Sequence, residues 1–167
     1  MQDGILIFAA VWFVVGQGWA AASDAVRMRI PNALILYLLT GFALTVALSH
    51  PGWIDLAAHV AVGLAILGGA LILFARGWMG GGDVKLLAVT GLWLGPAAMP
   101  ALLLLTALAG GLLTLVMIVA RALGAHRLAG GRIAALRDPM DRVPYGIAIA
   151  AAAIAVVILR PEGLLLG

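Results

Sequence analysis

The fold of this chain is decided by long apolar runs, of which the clearest reads IDLAAHVAVGLAILGGALILF, from Ile54 to Phe74. A helix of about 20 apolar residues crosses the hydrocarbon layer of a bilayer. Over the whole chain of 167 residues, 65% are hydrophobic and only 10% are charged. This composition is typical of a polytopic membrane protein and argues against a soluble domain.

The apolar runs predict helices rather than the strands of a membrane barrel, because the runs are continuous whereas barrel strands alternate apolar and polar residues. The fourth run is interrupted by Gly95-Pro96 and by Pro100, so we expect a short helix there. The predicted fold is all-α, a membrane protein with about six transmembrane helices in a single domain over residues 1–167. The predicted spans are Ile5 to Ala22, Ala33 to Leu48, Ile54 to Phe74, Val84 to Met99, Ala101 to Ala120, and Pro144 to Leu159.

The basic residues predict the orientation of these spans. If the spans alternate, all of the 10 Lys and Arg residues except Arg160 lie on one side of the membrane. By the positive-inside rule that side is the cytoplasm, so both termini lie outside, and residues 121–142 form a cytoplasmic loop. Because topology accounts for the net charge of +3, we expect membrane lipid and not nucleic acid as a partner. The expected location is the inner (plasma) membrane.

Two carboxylates stand where charge is costly. Asp24 ends the first predicted span, and Asp83 begins the fourth. An ionisable group at membrane depth costs roughly 3 kcal/mol or more and therefore marks a candidate functional site. In the predicted topology both of these span ends face the cytoplasm, so the two carboxylates lie at one depth and can be neighbours across a helix interface.

Two such carboxyls suggest the chemistry of an aspartic peptidase. Held close together they cannot both ionise cheaply, so one keeps a proton and the pair supplies an acid and a base. The ionised carboxyl can take a proton from an attacking water, and the protonated one can polarise the peptide carbonyl and protonate the leaving amine. This chemistry needs no metal and no cofactor, and the chain has no cysteine and only three histidines, His50, His59 and His126.

The residues beside Asp83 are candidates for substrate binding or support. Gly80, Gly81 and Gly82 have no side chains, so we expect unusual backbone dihedral angles and room for an extended substrate strand to approach Asp83. Lys85 either stabilises the charge of the pair or extends to the membrane interface.

A simpler interpretation treats both aspartates as ordinary helix-end residues. In that case the glycines form a loop, Asp83 caps the helix that follows, and Asp24 pairs with Arg27 or Arg29.

At this point the sequence resembles a known family. Asp24 followed by Arg29-Ile30-Pro31-Asn32, then Gly80-Gly81-Gly82-Asp83-Val84-Lys85-Leu86, and then Val143-Pro144-Tyr145-Gly146-Ile147-Ala148 resemble, in order and spacing, the motifs of prepilin peptidases. These are type IV leader peptidases, membrane aspartic proteases with a G-x-G-D motif. The compact length is most similar to the short subgroup that serves Flp-type tight-adherence pili.

The resemblance implies that Asp24 and Asp83 are the catalytic pair. It implies as substrates prepilin or pseudopilin precursors, whose short basic leader is cut at the cytoplasmic face. Long family members also methylate the new pilin N-terminus and carry an insertion with paired cysteines, so methyl transfer is not expected here. We expect the Pro144-Tyr145-Gly146 segment to pack against the helices that carry the aspartates, with Tyr145 near the site.

Two non-enzymatic alternatives stay open. The aspartates of a small transporter or channel subunit could relay protons or bind a cation. The chain could also be an assembly scaffold in which the aspartates only cap helices. The sequence does not report the oligomeric state.

Overall fold

The computed structural model describes residues 2–122 and 143–159, and within these ranges the chain is helical with no strand. The helices are α1 (Gln2–Arg27), α2 (Asn32–Ser49), α3 (Trp53–Ala75), α4 (Gly81–Ala122) and α5 (Tyr145–Leu159). The first four are long and apolar enough to cross a membrane, and α5 is a shorter apolar helix. The predicted all-α membrane fold is confirmed. Most of the expected cytoplasmic loop, residues 123–142, and Arg160 lie outside the described residues.

A sharp break divides α4 into two arms. Gly95 has non-helical angles, φ 67° and ψ −174°, and Pro96 supplies no backbone N–H to the helix that follows. Only glycine suits this position, because its φ is positive and a Cβ would run into the ring of His59. The first arm, residues 81–94, is about 21 Å long at 1.5 Å per residue, which is shorter than the hydrocarbon layer. The two arms correspond to the fourth and fifth predicted spans, but the boundary was wrong: the break is at Gly95, inside the predicted fourth span, and not between Met99 and Ala101.

The second arm returns toward the end of the bundle where α1 finishes. Gly110, in this arm, packs against the ring of Tyr145 and against Ala148 in the first turn of α5. The next residue after Tyr145, Gly146, contacts Asp24 near the end of α1. The break at Gly95 therefore turns α4 back on itself, and the helix begins and ends on the same side of the bundle.

The bundle is held by an apolar core and by a few hydrogen bonds from indole groups. α1 packs mainly on α2 and α5, and α4 packs mainly on α3 and α5. The rings of Phe13 and Trp93 meet with centroids 5.4 Å apart, and the Trp93 indole N–H donates to the Leu38 carbonyl at 3.0 Å. On the outside, large apolar side chains such as Leu64 and Leu112 are exposed, as expected for surfaces that face lipid.

Candidate active site

Asp24 is a buried carboxylate held by a distant part of the chain. It lies in the last turn of α1 and is only 5% exposed. Its Oδ2 accepts a hydrogen bond of 2.8 Å from the backbone N–H of Gly146, 122 residues later. Gly146 is the second residue of α5, where backbone N–H groups have no partner within the helix and favour an anion. The partner of Asp24 is thus the N-terminus of α5.

Gly146 allows this contact because it has no side chain. A Cβ there would lie 2.8 Å from Oδ2 of Asp24 and 3.0 Å from Cδ1 of Ile30, well inside ordinary van der Waals distance. Sequence reasoning did not include Gly146 among the site residues, although it stands in the Pro144-Tyr145-Gly146 motif that was expected to pack here.

Asp83 occupies the first turn of α4. The helix begins at Gly81, and the Asp83 carboxylate folds back over Gly80, where a Cβ would lie 2.8 Å from Oδ2. An acidic side chain at the third helical position commonly reaches back in this way to cap the helix. This contact is compatible with the capping interpretation, but it does not account for the position of Asp24 beside Asp83.

The three glycines before Asp83 are used for close packing. Gly81 lies against the ring of Phe74, and Gly82 lies against Ile30, whose Cβ would be 3.0 Å from a Cβ added at Gly82. Within the described residues, the glycines with positive φ are Gly77 and Gly95. The unusual dihedral angles expected at Gly80, Gly81 and Gly82 are therefore not of the left-handed kind, and the absence of side chains is what the fold requires there.

Asp24 and Asp83 line one cavity of about 380 Å³. The two carboxylates come from α1 and α4, 59 residues apart in sequence, and the fold brings both to the wall of this cavity. Polar and apolar surfaces both contribute to this cavity. Its other lining residues are Met28, Phe74, Gly77, Trp78, Met79, Gly80, Val143 and Tyr145. The structure thus brings together four of the predicted site residues, Asp24, Asp83, Gly80 and Tyr145.

Lys85 lies outside this cavity. Its Nζ donates to Oδ1 of Asn32, at the start of α2, at 3.0 Å, and the side chain is exposed. Lys85 instead borders an apolar groove between α2, α3 and α4. Two residues along a helix correspond to a rotation of about 200°, so Lys85 and Asp83 point to different sides of α4. Of the two roles considered for Lys85, this position favours extension to the interface.

A second buried polar pair was missed by the sequence reasoning. Gln17 of α1 and Thr90 of α4 are both fully buried, and Nε2 of Gln17 donates to Oγ1 of Thr90 at 2.9 Å. Oε1 of Gln17 has no hydrogen-bond partner within the described part of the chain. A glutamine inside an apolar run was the signal that could have found it.

Taken together, the fold and the site define a helical membrane protein with two aspartates that share a cavity at one end of the bundle. Residues 6–115 match the type IV leader peptidase family. The chain belongs to this family. The matched range contains Asp24 and Asp83 and ends before the Tyr145 segment.

Curated relatives carry the name prepilin leader peptidase/N-methyltransferase. The protein of Aeromonas hydrophila is 31% identical over 140 residues, which cover 70% of this chain and 47% of the relative. That of Aeromonas salmonicida (strain A449) is 35% identical over 111 residues, 59% of this chain and 35% of the relative. The chain therefore spans less than half the length of these relatives. No solved structure matches it.

Proposed function

We propose that the protein is an aspartic endopeptidase that removes the leader peptide from prepilin-like precursors, with Asp24 and Asp83 as its catalytic pair. The observation that carries this proposal is the shared cavity, in which two carboxylates from distant parts of the chain meet at one end of the bundle. Family membership supports the same reaction class. The proposal concerns the peptidase reaction alone and not methyl transfer.

The geometry suits activation of water between two carboxyls. The Gly146 N–H can only donate, so Oδ2 of Asp24 is an acceptor, and a shared proton lies on Oδ1 of Asp24 or on Asp83. The ionised carboxyl removes a proton from the attacking water. The other carboxyl donates its proton to the carbonyl oxygen of the scissile bond, and the departing amine finally receives a proton from the pair. No covalent bond to the enzyme forms.

The cavity walls fit a peptide that changes from polar to apolar. Phe74, Trp78 and Tyr145 supply aromatic surface, and Met28 and Met79 supply flexible apolar surface. A precursor with a short basic leader and an apolar stalk helix presents this change at the bond to be cut. Gly80 forms part of the wall beside Asp83, which lets an extended backbone approach the carboxylate.

The site is proposed to face the cytoplasm. Basic side chains of the described residues gather at the end of the bundle that holds the cavity: Arg27 ends α1, Arg76 follows α3, and Lys85 stands in the first turns of α4. The Arg76 guanidinium lies 5.3 Å from the ring of Trp78, a cavity residue. Basic residues at span ends favour the cytoplasmic side.

The test is cleavage of a Flp-type prepilin precursor by purified protein in detergent, scored by the gel shift on leader removal. Wild type is expected to cleave, and Asp24→Asn and Asp83→Asn are each expected to lose roughly 10²-fold or more in rate, as for loss of a general acid or base. Asp55→Asn is the matched control, because Asp55 is an exposed carboxylate in the first turn of α3, at the opposite end of the bundle. A folded Asn variant of either cavity aspartate that cleaves at the wild-type rate would refute the two-carboxylate mechanism. A channel or scaffold would give no cleavage at all.

A further inference from the structure

The buried pair Gln17 and Thr90 lies about two helical turns deeper in the bundle than the two aspartates. Asp24 follows Gln17 on α1, and Asp83 precedes Thr90 on α4, by seven residues in each case. Seven residues are close to two helical turns, so the members of each helix lie on one face and about 10 Å apart along the axis. The hydrogen bond of 2.9 Å from Gln17 to Thr90 therefore joins the same two helix faces that present the carboxylates.

A second contact between the same two helices lies deeper in the bundle. Phe13 lies one turn beyond Gln17, and Trp93 lies almost one turn beyond Thr90, and their rings are 5.4 Å apart. Steps along α1 are thus matched by equal steps in the opposite direction along α4. α1 and α4 pack mainly on other helices, and the side chains between them are arranged at three levels: carboxylates at one end, an amide and a hydroxyl in the middle, and aromatic rings deeper in the bundle.

Stability alone does not explain the buried Gln17–Thr90 pair. Oε1 of Gln17 is buried and has no partner within residues 2–122 and 143–159. The cost of leaving a buried acceptor unpaired exceeds the net gain from one neutral hydrogen bond, and such bonds between membrane helices are weak. Two apolar side chains of similar shape would stabilise the interface at least as well.

A polar pair does what an apolar pair does not, because it is satisfied in only one register. A slip of α1 past α4 by one turn, about 5.4 Å, would break this hydrogen bond and would place the two aspartates at different depths. Apolar surfaces tolerate such a slip, whereas a single buried polar contact can fix helix register at some cost in stability.

We propose that Gln17 and Thr90 are positioning residues, whose hydrogen bond fixes the register of α1 against the first arm of α4 and so holds Asp24 and Asp83 at one depth. The kinetic consequence rests on the proposed peptidase function, but the register itself does not. The unpaired Oε1 is the stability cost of this device.

The kinetic test replaces the pair by apolar side chains, in Gln17→Leu/Thr90→Val. We expect the unfolding temperature to stay equal to or above that of wild type, and kcat to fall by roughly 10- to 100-fold because the reacting groups are misplaced. KM should change by less than about threefold, because Phe74, Trp78 and Tyr145 of the cavity wall belong neither to α1 nor to the first arm of α4. Thr90→Ser keeps the hydroxyl and should keep the rate. Thr45→Val is the matched control, since Thr45 is fully buried but bonds only the Gly41 carbonyl of its own helix.

The register test needs no activity. Because the chain has no cysteine, Asp24→Cys/Asp83→Cys gives two unique thiols that a short bifunctional thiol reagent can join. Adding Gln17→Leu/Thr90→Val should lower the cross-linking yield severalfold, and adding Thr45→Val should not. If wild type cleaves no precursor and the yield still falls, the proposed function fails and the register inference stands. If the yield is unchanged, or if an active enzyme keeps its full kcat without the polar pair, the inference is overturned.

Discussion

Gly146→Ala should separate the activity of this protein from its stability. The added Cβ would lie 2.8 Å from Oδ2 of Asp24 and 3.0 Å from Cδ1 of Ile30. Ordinary contacts of this kind are about 3.4 Å or longer, so the neighbours must move by roughly half an ångström. The group that moves most easily is the Asp24 carboxylate, because it is the end of a side chain. Its movement lengthens the hydrogen bond from the Gly146 N–H.

The two effects of this substitution differ in size. Overpacking at a core position costs about 1–3 kcal/mol, and replacement of glycine by alanine inside a helix returns up to about 1 kcal/mol, so the protein should remain folded. A misplacement of about 1 Å at a reacting group can cost roughly 10²-fold in rate. For half that shift we expect kcat to fall by about 10-fold or more while the unfolding temperature drops by only a few degrees.

The assay pairs the rate of leader removal with thermal unfolding in detergent. Gly111→Ala is the control, because a Cβ at Gly111 meets nothing within 4 Å, and it should keep wild-type kcat. A Gly146→Ala protein that is folded and fully active would refute the view that this glycine places Asp24. If it unfolds instead, Gly146→Ala combined with Ile30→Val removes the second clash, and the same comparison of rates can be made.

Three further predictions concern positions away from the carboxylates. Gly95→Ala should destabilise the protein by roughly 2 kcal/mol or more, because alanine is strained at positive φ and its Cβ meets the ring of His59. Gly68→Ala is the control and should not destabilise the protein, because a Cβ there meets nothing within 4 Å. Equal unfolding temperatures for the two variants would contradict the role of the α4 break. Lys85→Met should retain kcat within about threefold, since Lys85 donates a hydrogen bond to Asn32 outside the cavity. A loss of about 10²-fold would instead indicate that Lys85 takes part in the reaction. A periplasm-active reporter inserted between α2 and α3 should be active and one inserted between α3 and α4 silent, and the reverse pattern would overturn the proposed orientation.

The helices follow from local properties of the sequence. Each apolar run is long enough to demand internally paired backbone in lipid, and the first predicted span, Ile5 to Ala22, falls inside α1 (Gln2–Arg27). The Gly95-Pro96 pair predicted an interruption of the helix in α4. Helices α1 to α4 extend past the apolar runs, because helix ends reach into the membrane interface, where composition no longer distinguishes them.

The pairing of side chains does not follow from local properties. Asp24 and Asp83 stood out because each is a charge at the end of an apolar run, and alternation of the spans placed both at one end. The partner of Asp24, the Gly146 N–H, is 122 residues away, and no pattern within one helix reveals such a contact. Lys85 was grouped with Asp83 by proximity in sequence, whereas rotation around α4 turns it toward Asn32.

The sequence by itself determined the membrane class, the positions of the helices and the two acidic residues at one depth, because hydropathy and the cost of buried charge act residue by residue. Only the tertiary structure decided that the carboxylates share a cavity, that the N-terminus of α5 holds Asp24 and that Gln17 meets Thr90 beneath them. Those contacts depend on how the helices rotate and slide against one another, and that is set by packing between residues far apart in the chain.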